Sequence, residues 1–360
     1  MSSPSTPQIF IVGGTGAQGM PIIRSLVSDK KYHCLVLTRD PNSQRALSLQ
    51  ALGNVTLLPG TLANEDTLRS GFRRSHGAFI NIDGFNTGEK TELYWAIRAY
   101  ELAIEEGVKF FVYGNLDYAY KKSGYEKKFR AGHYDGKGRV GEWILVQNRD
   151  NRGKMGAACF TTGPYIDMAI SSATIMTPRV ENGVVTWRVP LGKGKVNFVC
   201  LDDCGYYVRW LFDHQNRANG MDLEVAIAGI TFQELAEAFT KVTGKPAQYI
   251  DTELKDYWAA AKGMASLPAA YNADPNDSST MSFKDNFTGF WNIWKYEVLK
   301  RDYKLLDEIH PERVNSAEQW LRLEDQKGRE QGKGGLWERV QVENMTPILK
   351  ISEDGRKGKL

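Results

Sequence analysis

Residues 9–19 read Ile-Phe-Ile-Val-Gly-Gly-Thr-Gly-Ala-Gln-Gly, a short apolar run that leads directly into a glycine-rich turn. Glycines at positions 13, 16 and 19 have the spacing of a dinucleotide-binding turn, which needs a tight bend, close backbone approach to a pyrophosphate, and helix-on-strand packing. Apolar residues then recur at spacings of three and four, which predicts a helix whose N-terminal N–H groups face the phosphates. A glycine turn alone is weak evidence, but a strand and a helix flank this one. We therefore predict a pyrophosphate site formed by Gly13, Thr15, Gly16, Ala17, Gln18 and Gly19.

The composition narrows the functional classes. The formal net charge of +3 over 360 residues does not indicate a nucleic-acid-binding surface. The cysteines form no C-x-x-C pair, so we interpret them as reduced packing residues and predict neither a disulfide nor a metal site. No apolar run approaches membrane-spanning length, and the first strand begins too early to leave room for a cleavable signal peptide. We expect a cytoplasmic protein, with access to the nucleus left open.

The second predicted strand suggests which dinucleotide binds. His33–Thr38 is apolar and strand-like, and Arg39 follows it about 20 residues after Gly19. NAD-preferring folds usually have Asp or Glu in this region, whereas Arg suits a 2′-phosphate. We therefore predict NADP(H). The alternative is a solvated Arg at a strand end, and the neighbouring Asp40 could pair with it or repel the phosphate.

Further predicted strands alternate with helix-length segments, which indicates an α/β fold with a doubly wound, Rossmann-type parallel sheet. These strands are 55–58, 78–82, 110–113 and 157–161. Residues at their carboxyl ends should line the cofactor crevice, and we predict contacts from Thr61, Asn81, Ile82 and Asn115.

The pattern changes from about Gly163. We predict a Rossmann domain over residues 1–162, a smaller α+β substrate-side region over 163–325 and a polar extension over 326–360. Some segments of the second region could return to the Rossmann core. Strands are expected at 187–189 and 196–201, and Thr231 with Glu234 forms a capping box that begins a helix. The chain from Lys327 reads as a loosely attached tail.

An aromatic stripe is the clearest pattern of the second half. Five rings recur at helical spacing, which favours core packing but also suits a wall over a flat apolar ligand: Phe283, Phe287, Phe290, Trp291 and Trp294.

Reduction by a dinucleotide needs a proton donor near the substrate. The common arrangement of Ser at the end of strand five followed by Tyr-x-x-x-Lys fits poorly here. Gly114-Asn115 stands where the Ser would be, and the pair Tyr118 and Lys122 follows the strand too closely.

A better candidate lies in His133-Tyr-Asp-Gly-Lys137, before an amphipathic helix. Lys137 could reach the crevice from the start of that helix, bind the nicotinamide ribose, and exchange a proton if partial desolvation lowered its pKa. Tyr134 and His133 are the predicted proton relays. The alternatives are a hydrogen-bonded helix-entry residue for His133 and a solvated side chain for Lys137.

One loop carries several basic residues interleaved with aromatic ones. We interpret it as a solvated loop over the cofactor site and not as a nucleic-acid patch, because it is small and the total charge is balanced: Lys121, Lys122, Lys127, Lys128 and Arg130.

Several separated motifs together resemble the NmrA-like family of atypical short-chain dehydrogenases/reductases, which is related to isoflavone reductases. These motifs occur in the family's order over roughly residues 8–325. They are the glycine turn, Leu37–Pro41, His133–Lys137, Gly163-Pro164-Tyr165, Val199–Asp203, and Thr231–Leu235 with Thr243–Pro246. The resemblance implies the Rossmann fold, a catalytic role for Lys137 and a place for Tyr165 facing the nicotinamide. The chain departs from the family at Gly60-Thr61, at the strand-five turn and at Thr161-Thr162-Gly163.

The family contains both reductases and non-catalytic regulators. Our leading hypothesis is an NADP(H)-dependent oxidoreductase that reduces a small apolar or aromatic carbonyl, imine or enone. The alternative is a redox sensor or transcriptional co-regulator that binds NADP(H) and acts through a protein partner. We expect no direct contact with nucleic acid or membrane, and a homodimer is compatible with the sequence.

Overall fold

The computed structural model describes residues 6–261, 263–350 and 360. The strands are β1 (Gln8–Val12), β2 (His33–Thr38), β3 (Val55–Pro59), β4 (Gly77–Ile80), β5 (Phe110–Leu116), β6 (Gly156–Thr162), β7 (Arg179–Glu181), β8 (Val184–Val189), β9 (Val196–Asn197), β10 (Asp222–Glu224), β11 (Gly229–Ile230) and β12 (Ala247–Asp251).

The α-helices are α1 (Gly19–Val27), α2 (Gln44–Gln50), α3 (Glu65–Arg73), α4 (Gly84–Thr87), α5 (Glu89–Glu105), α6 (Ala119–Lys122), α7 (Gly132–Asp150), α8 (Leu201–Asp213), α9 (Gln215–Ala218), α10 (Phe232–Thr243), α11 (Leu254–Ala260), α12 (Phe283–Lys295), α13 (Tyr303–Ile309), α14 (Ala317–Glu330) and α15 (Leu336–Arg339). Short 3₁₀ turns cover Lys127–Phe129 and Ile166–Ile170.

The main sheet has seven strands in the order β10-β6-β5-β4-β1-β2-β3. Every strand pair in it is parallel. Strand β1 lies between β2 and β4, so the chain first winds outward on one side of β1 and then on the other. This reversal confirms the predicted Rossmann-type fold and creates a crevice outside the carboxyl ends of β1 and β4.

Helices cover both faces of this sheet because its strands are apolar on both sides. Along β1, Ile9 and Ile11 face a layer that contains α1 and α8, whereas Phe10 and Val12 face the layer of α3, α5 and α7. All four side chains are buried. The alternation of successive side chains between faces therefore anchors both helical layers to the strand that leads into the glycine turn.

Segments beyond residue 162 return to the Rossmann layers. Strand β10 pairs with the edge strand β6, and α8 packs so closely on α1 that a Cβ at Gly205 would lie 2.6 Å from the Pro21 carbonyl oxygen. Leu306 and Ile309 of α13 join the same apolar cluster. The 162/163 boundary stays a prediction, but the main sheet is completed by residues on its far side.

The smaller region has its own core. It contains a three-stranded sheet in the order β12-β8-β7 and the antiparallel pair β11–β9, packed with α10, α11, α12 and α14. Helix α10 begins at the predicted capping box, in which Thr231 and Glu234 satisfy each other's backbone N–H groups. Trp291 and Trp294 of α12 are fully buried in this core, which supports the packing interpretation for that part of the aromatic stripe.

Two expectations about the second half are wrong. The strand expected over 196–201 ends at Asn197, and Leu201 instead begins α8, where Asp202 and Asp203 favour the positive end of a helix. The chain from Lys327 is not loosely attached throughout, because Leu336 and Val340 are fully buried in the core. Residues 351–359 of the expected tail lie outside the described part of the chain.

A buried ion pair joins the later segments to the main sheet. The Arg301 guanidinium donates to both carboxylate oxygens of Asp117, at 3.1 and 2.7 Å, and both side chains are fully buried. Arg301 also donates to the Thr162 carbonyl oxygen at 3.3 Å, and Lys122 lies 2.7 Å from Asp117. The bidentate pair fixes the segment after α12 against the carboxyl ends of β5 and β6.

We predict that Arg301→Met destabilises the protein by about 3 kcal/mol, because it leaves the Asp117 carboxylate buried with a weaker set of partners. Urea unfolding followed by tryptophan fluorescence would measure the loss. Arg188→Met is the control, since Arg188 pairs with Glu181 on the surface and its removal should leave the midpoint unchanged. Equal midpoints for wild type and Arg301→Met would contradict the prediction.

Candidate active site

The glycine turn forms a cradle between β1 and α1. Gly13 has a φ of +81°, and a Cβ there would lie 2.3 Å from the Asn81 carbonyl oxygen. A Cβ at Gly19 would lie 2.3 Å from the Gly13 carbonyl oxygen, so α1 can begin against the turn only with glycine at that position. Gly13, Gly16 and Ala17 keep part of their surface open, and no side chain caps the start of α1. The backbone at this opening can therefore accept an anion.

Gln18 lies behind the cradle and not on its open side. Its side chain is 4% exposed, and its amide donates to Thr162 Oγ1 at 3.3 Å. Its Oε1 accepts from Asn81 Nδ2 at 2.8 Å. Thr15 is also largely buried, so the open surface of this turn comes mainly from Gly13, Gly16 and Ala17.

Lys137 lies at the edge of the main sheet where β4 and β5 end. Its Nζ donates to the Ile82 carbonyl oxygen at 2.7 Å, to the Gly114 carbonyl oxygen at 3.2 Å and to Asn81 Oδ1 at 3.2 Å. The side chain comes from the second turn of α7, because this helix begins at Gly132, earlier than the sequence predicts. The alternative of a solvated lysine is wrong, because Lys137 is 8% exposed.

These contacts form one continuous path. Thr162 accepts from Gln18, Gln18 accepts from Asn81, and Asn81 accepts from Lys137. The path runs from β6 past the start of α1 to the second turn of α7. It couples the cradle to the ammonium group through the buried Gln18 and the partly buried Asn81, in surroundings where hydrogen bonds are stronger than in water.

Glu92 completes this network, and the sequence analysis did not identify it. Its carboxylate is fully buried, and its Oε1 lies 2.8 Å from Lys137 Nζ. No other described residue donates a hydrogen bond to either carboxylate oxygen. Glu92 is one of two acids in the first turn of α5, the other being Glu89. No sequence pattern distinguishes it from glutamates that are exposed to solvent.

Two arginines lie near the carboxyl end of β2. Arg39 directly follows β2, as expected, and remains partly exposed. Arg45, which no sequence pattern singles out, lies in the first turn of α2 and donates to the Thr15 carbonyl oxygen at 3.4 Å. The short loop between β2 and α2 keeps both residues near the carboxyl end of the same strand.

C-terminal residues also contact this end of the cradle. Lys350 Nζ donates to Thr15 Oγ1 at 3.3 Å, and Thr61 Oγ1 donates to the Leu360 carbonyl oxygen. Thr61 additionally accepts from the Ala63 N–H at 3.2 Å. The end of the chain thus meets two of the residues predicted to contact the cofactor.

Asn115 and Tyr165 frame the other side of the crevice. Asn115 is 4% exposed, and its amide donates to Thr161 Oγ1 at 2.8 Å while a Cβ at Gly141 would lie 2.6 Å from it. Tyr165 is partly exposed, pairs with Val199 in an isolated bridge and packs against the layer of α1 and α8. Asn115 therefore faces the helix α7, and Tyr165 keeps some access to solvent.

His133 and Tyr134 occupy apolar surroundings. His133 packs against Phe85 and Phe287 at centroid distances of 4.9 and 5.3 Å, and its Nδ1 lies 2.9 Å from Asn286 Oδ1. Burial lowers the pKa of His133 to about 4, so its ring is neutral at pH 7. Burial also raises the pKa of Tyr134 well above 10, and its hydroxyl has no partner among the described residues. Neither group is therefore suited to proton exchange at neutral pH.

The side chains of Tyr118 and Lys122 have different partners and do not act as a pair. Tyr118 accepts a hydrogen bond from Arg139 at 3.1 Å, whereas Lys122 pairs with Asp117 and Glu224. The surrounding basic loop is also largely neutralised, because Lys121 lies 2.6 Å from Glu142. These contacts agree with a solvated loop.

Comparison with known protein families matches residues 5–282 to the NmrA-like family. The chain belongs to the NmrA-like family. NmrA-like family domain-containing oxidoreductases from Aspergillus hancockii and Aspergillus flavus are each 27% identical to it. The alignments cover 68% of this chain and 75% of the first relative, and 69% of this chain and 76% of the second.

Solved structures agree with this assignment at the level of the fold. NmrA, described as a negative transcriptional regulator and crystallised with NADP, superposes with a TM-score of 0.70 at 15% identity, covering 93% of this chain and 99% of NmrA. An NADPH-dependent quinone oxidoreductase of Escherichia coli, complexed with NADPH, gives 0.65 at 20% identity, covering 87% and 98%.

Further features of this NmrA-like protein concern sites other than the cradle. No cluster of potential metal ligands occurs among the described residues, and their four cysteines are buried and unpaired. Within the same residues, no helix is long and apolar enough to cross a membrane. An open groove of about 510 Å³ borders Trp258 and Thr288, away from Lys137.

The lowered pKa of His133 predicts a pH dependence of stability. Between about pH 6.5 and pH 4 the unfolded chain binds a proton that the folded protein excludes, so this residue's contribution to stability is lost as the pH falls. We expect His133→Gln to reduce the loss over this range by roughly 2 to 3 kcal/mol. Urea unfolding at several pH values would measure it, with exposed His76→Gln as control. A pH profile of His133→Gln identical to wild type would show that His133 does not titrate this way.

Proposed function

We propose that this protein is an NADP(H)-dependent oxidoreductase that reduces a small apolar or aromatic carbonyl, imine or enone. The observation that carries the proposal is the hydrogen-bonded path from the cradle through Gln18 and Asn81 to Lys137. It places a buried ammonium group beside the crevice where a Rossmann fold binds its dinucleotide.

The residues of the cradle fit NADP(H). A pyrophosphate would lie on the open backbone of Gly13, Gly16 and Ala17, at the uncapped start of α1. Arg39 and Arg45 would hold the 2′-phosphate, since guanidinium groups pair well with phosphate oxygens. The NADP complex of NmrA and the NADPH complex of the quinone oxidoreductase support this choice by similarity. Contacts from Thr61, Asn81, Ile82, Asn115 and Tyr165 stay predictions.

The chemistry assigned to Lys137 is proton donation. NADPH, when bound, supplies the hydride. Lys137 would turn one N–H from the Ile82 or Gly114 carbonyl oxygen toward the substrate oxygen or nitrogen, where negative charge develops during reduction. The contacts that remain would keep its Nζ in place while the proton leaves.

The apolar substrate class follows from an aromatic cluster near Lys137. We define this cluster as Phe85, His133, Phe287 and Phe290. His133 precedes Lys137 by one helical turn on the same face of α7, and Phe85 follows Ile82 by three residues. A flat, apolar molecule that reached Lys137 from this side would meet rings and a neutral imidazole.

The second candidate is a non-catalytic sensor. It is favoured by the contacts of Lys137, whose N–H groups are all occupied by acceptors within the protein. Four acceptors surround the ammonium group, which is also what a purely structural lysine would need. A sensor would bind NADPH and NADP⁺, turn over no substrate, and change its affinity for a protein partner with the redox state of the dinucleotide.

We predict that Lys137→Arg abolishes turnover while the protein stays folded. Arginine keeps the positive charge beside Glu92 but does not release a proton at neutral pH. NADPH absorbance would be followed with a panel of carbonyls, imines and enones, and exposed Lys109→Arg is the matched control. If the wild type consumes no NADPH with any compound, the result favours the sensor over the reductase. If Lys137→Arg retains full activity, Lys137 is not the proton donor.

The two arginines predict a preference between dinucleotides. Loss of charge-assisted hydrogen bonds to a 2′-phosphate should weaken NADPH binding by roughly 10- to 100-fold in Arg39→Ala and in Arg45→Ala. NADH affinity should hardly change, because NADH lacks that phosphate. Calorimetric titration with both dinucleotides measures this, with exposed Arg74→Ala as control. An equal loss for NADH would place neither guanidinium on the 2′-phosphate.

A further inference from the structure

Glu92 is a fully buried acid near the proposed reaction centre. It lies in the first turn of α5, yet its side chain has no exposed surface. The partial positive charge at the start of a helix favours an acid there. An acid exposed to solvent would benefit from this charge as well, so the helix start does not explain why Glu92 is buried. Burial therefore calls for another explanation.

Two glycines lie close to this carboxylate. A Cβ at Gly84 of α4 would lie 2.4 Å from Glu92 Oε2, so the carboxylate would have to shift to make room for it. A Cβ at Gly136 of α7, which directly precedes Lys137, would make an ordinary contact of 3.7 Å with the same oxygen. The observed position of the Glu92 carboxylate therefore depends on glycine at position 84.

The charges around Glu92 make Lys137 its essential partner. Burial raises the pKa of Glu92, and Asp83 and Glu89 raise it further, whereas Lys137 lowers it. Tyr113 faces the pair from β5, with Lys137 Nζ 5.5 Å from its ring centre, and burial holds the pKa of its phenol well above 10. With no other donor among the described residues, the buried Glu92 carboxylate depends on the Lys137 ammonium group, whereas Lys137 also donates to Asn81 and to two carbonyl oxygens.

We propose that Glu92 is a positioning residue that holds the Lys137 ammonium group, charged, at the carboxyl ends of β4 and β5. The inference rests on the proposed function of Lys137 as proton donor. Asn81 fixes the ammonium group from the cradle side and Glu92 from the α5 side. A merely structural tie between α5 and α7 would stabilise the fold without setting the protonation of Lys137.

The decisive experiment follows the protonation of Lys137 directly. Lysines labelled with ¹³C at Cε are titrated by NMR in the wild type, Glu92→Gln and Glu92→Asp, and the Lys137 signal is assigned by its absence in Lys137→Arg. We expect the Lys137 midpoint to fall by at least about one pH unit, a tenfold change in proton affinity, in Glu92→Gln. Glu92→Asp should lie between the two, and Glu101→Gln, a surface acid on the same helix, should match wild type. An unchanged midpoint in Glu92→Gln would overturn the proposal.

Two further measurements keep the test decisive. If Glu92→Gln does not fold, Glu92→Asp carries the titration, and a midpoint equal to wild type overturns the proposal. With a substrate in hand, Glu92→Gln should lower kcat by about tenfold and leave the NADPH KM within about twofold, since the cradle is untouched. A fall in NADPH affinity with kcat unchanged would count against positioning. If no substrate is found, the reductase proposal fails, while the titration still decides the role of Glu92.

Discussion

The close approach of β1, β4 and the start of α1 is the constraint on which the site depends. At Gly13 and Gly19 the backbone comes within reach of carbonyl oxygens that any side chain would displace. This contact brings Asn81 beside Gln18, and from there the polar path reaches Lys137. A change in either glycine would therefore disturb the glycine turn and the surroundings of Lys137 together.

The sequence predicted the parts of the fold that depend on local pattern. Strand β1, the glycine turn and α1 follow from apolar runs and glycine spacing, and the capping box of α10 follows from Thr231 and Glu234. Lys137 was singled out from its place near the start of a predicted helix, and its catalytic role stays a prediction. These features are encoded within a few neighbouring residues, which is why pattern alone finds them.

The missed features depend on contacts between distant segments. Glu92 looks like a solvated acid until α7 packs against α5, and Arg45 looks like a surface residue until the loop after β2 turns it toward Thr15. The return of β10 to the main sheet and the burial of Leu336 come from the same cause, since single-sequence periodicity carries no information on which segment covers which. The expected strand over 196–201 failed because Val199 and Cys200 are apolar without being part of a strand.

The contact between Lys350 and Thr15 has a practical consequence for handling the protein. Material cut before Lys350 would lack a cation that lies against the glycine turn, where an anionic nucleotide is expected to bind. Ligand titrations therefore call for material that retains the chain at least as far as Lys350.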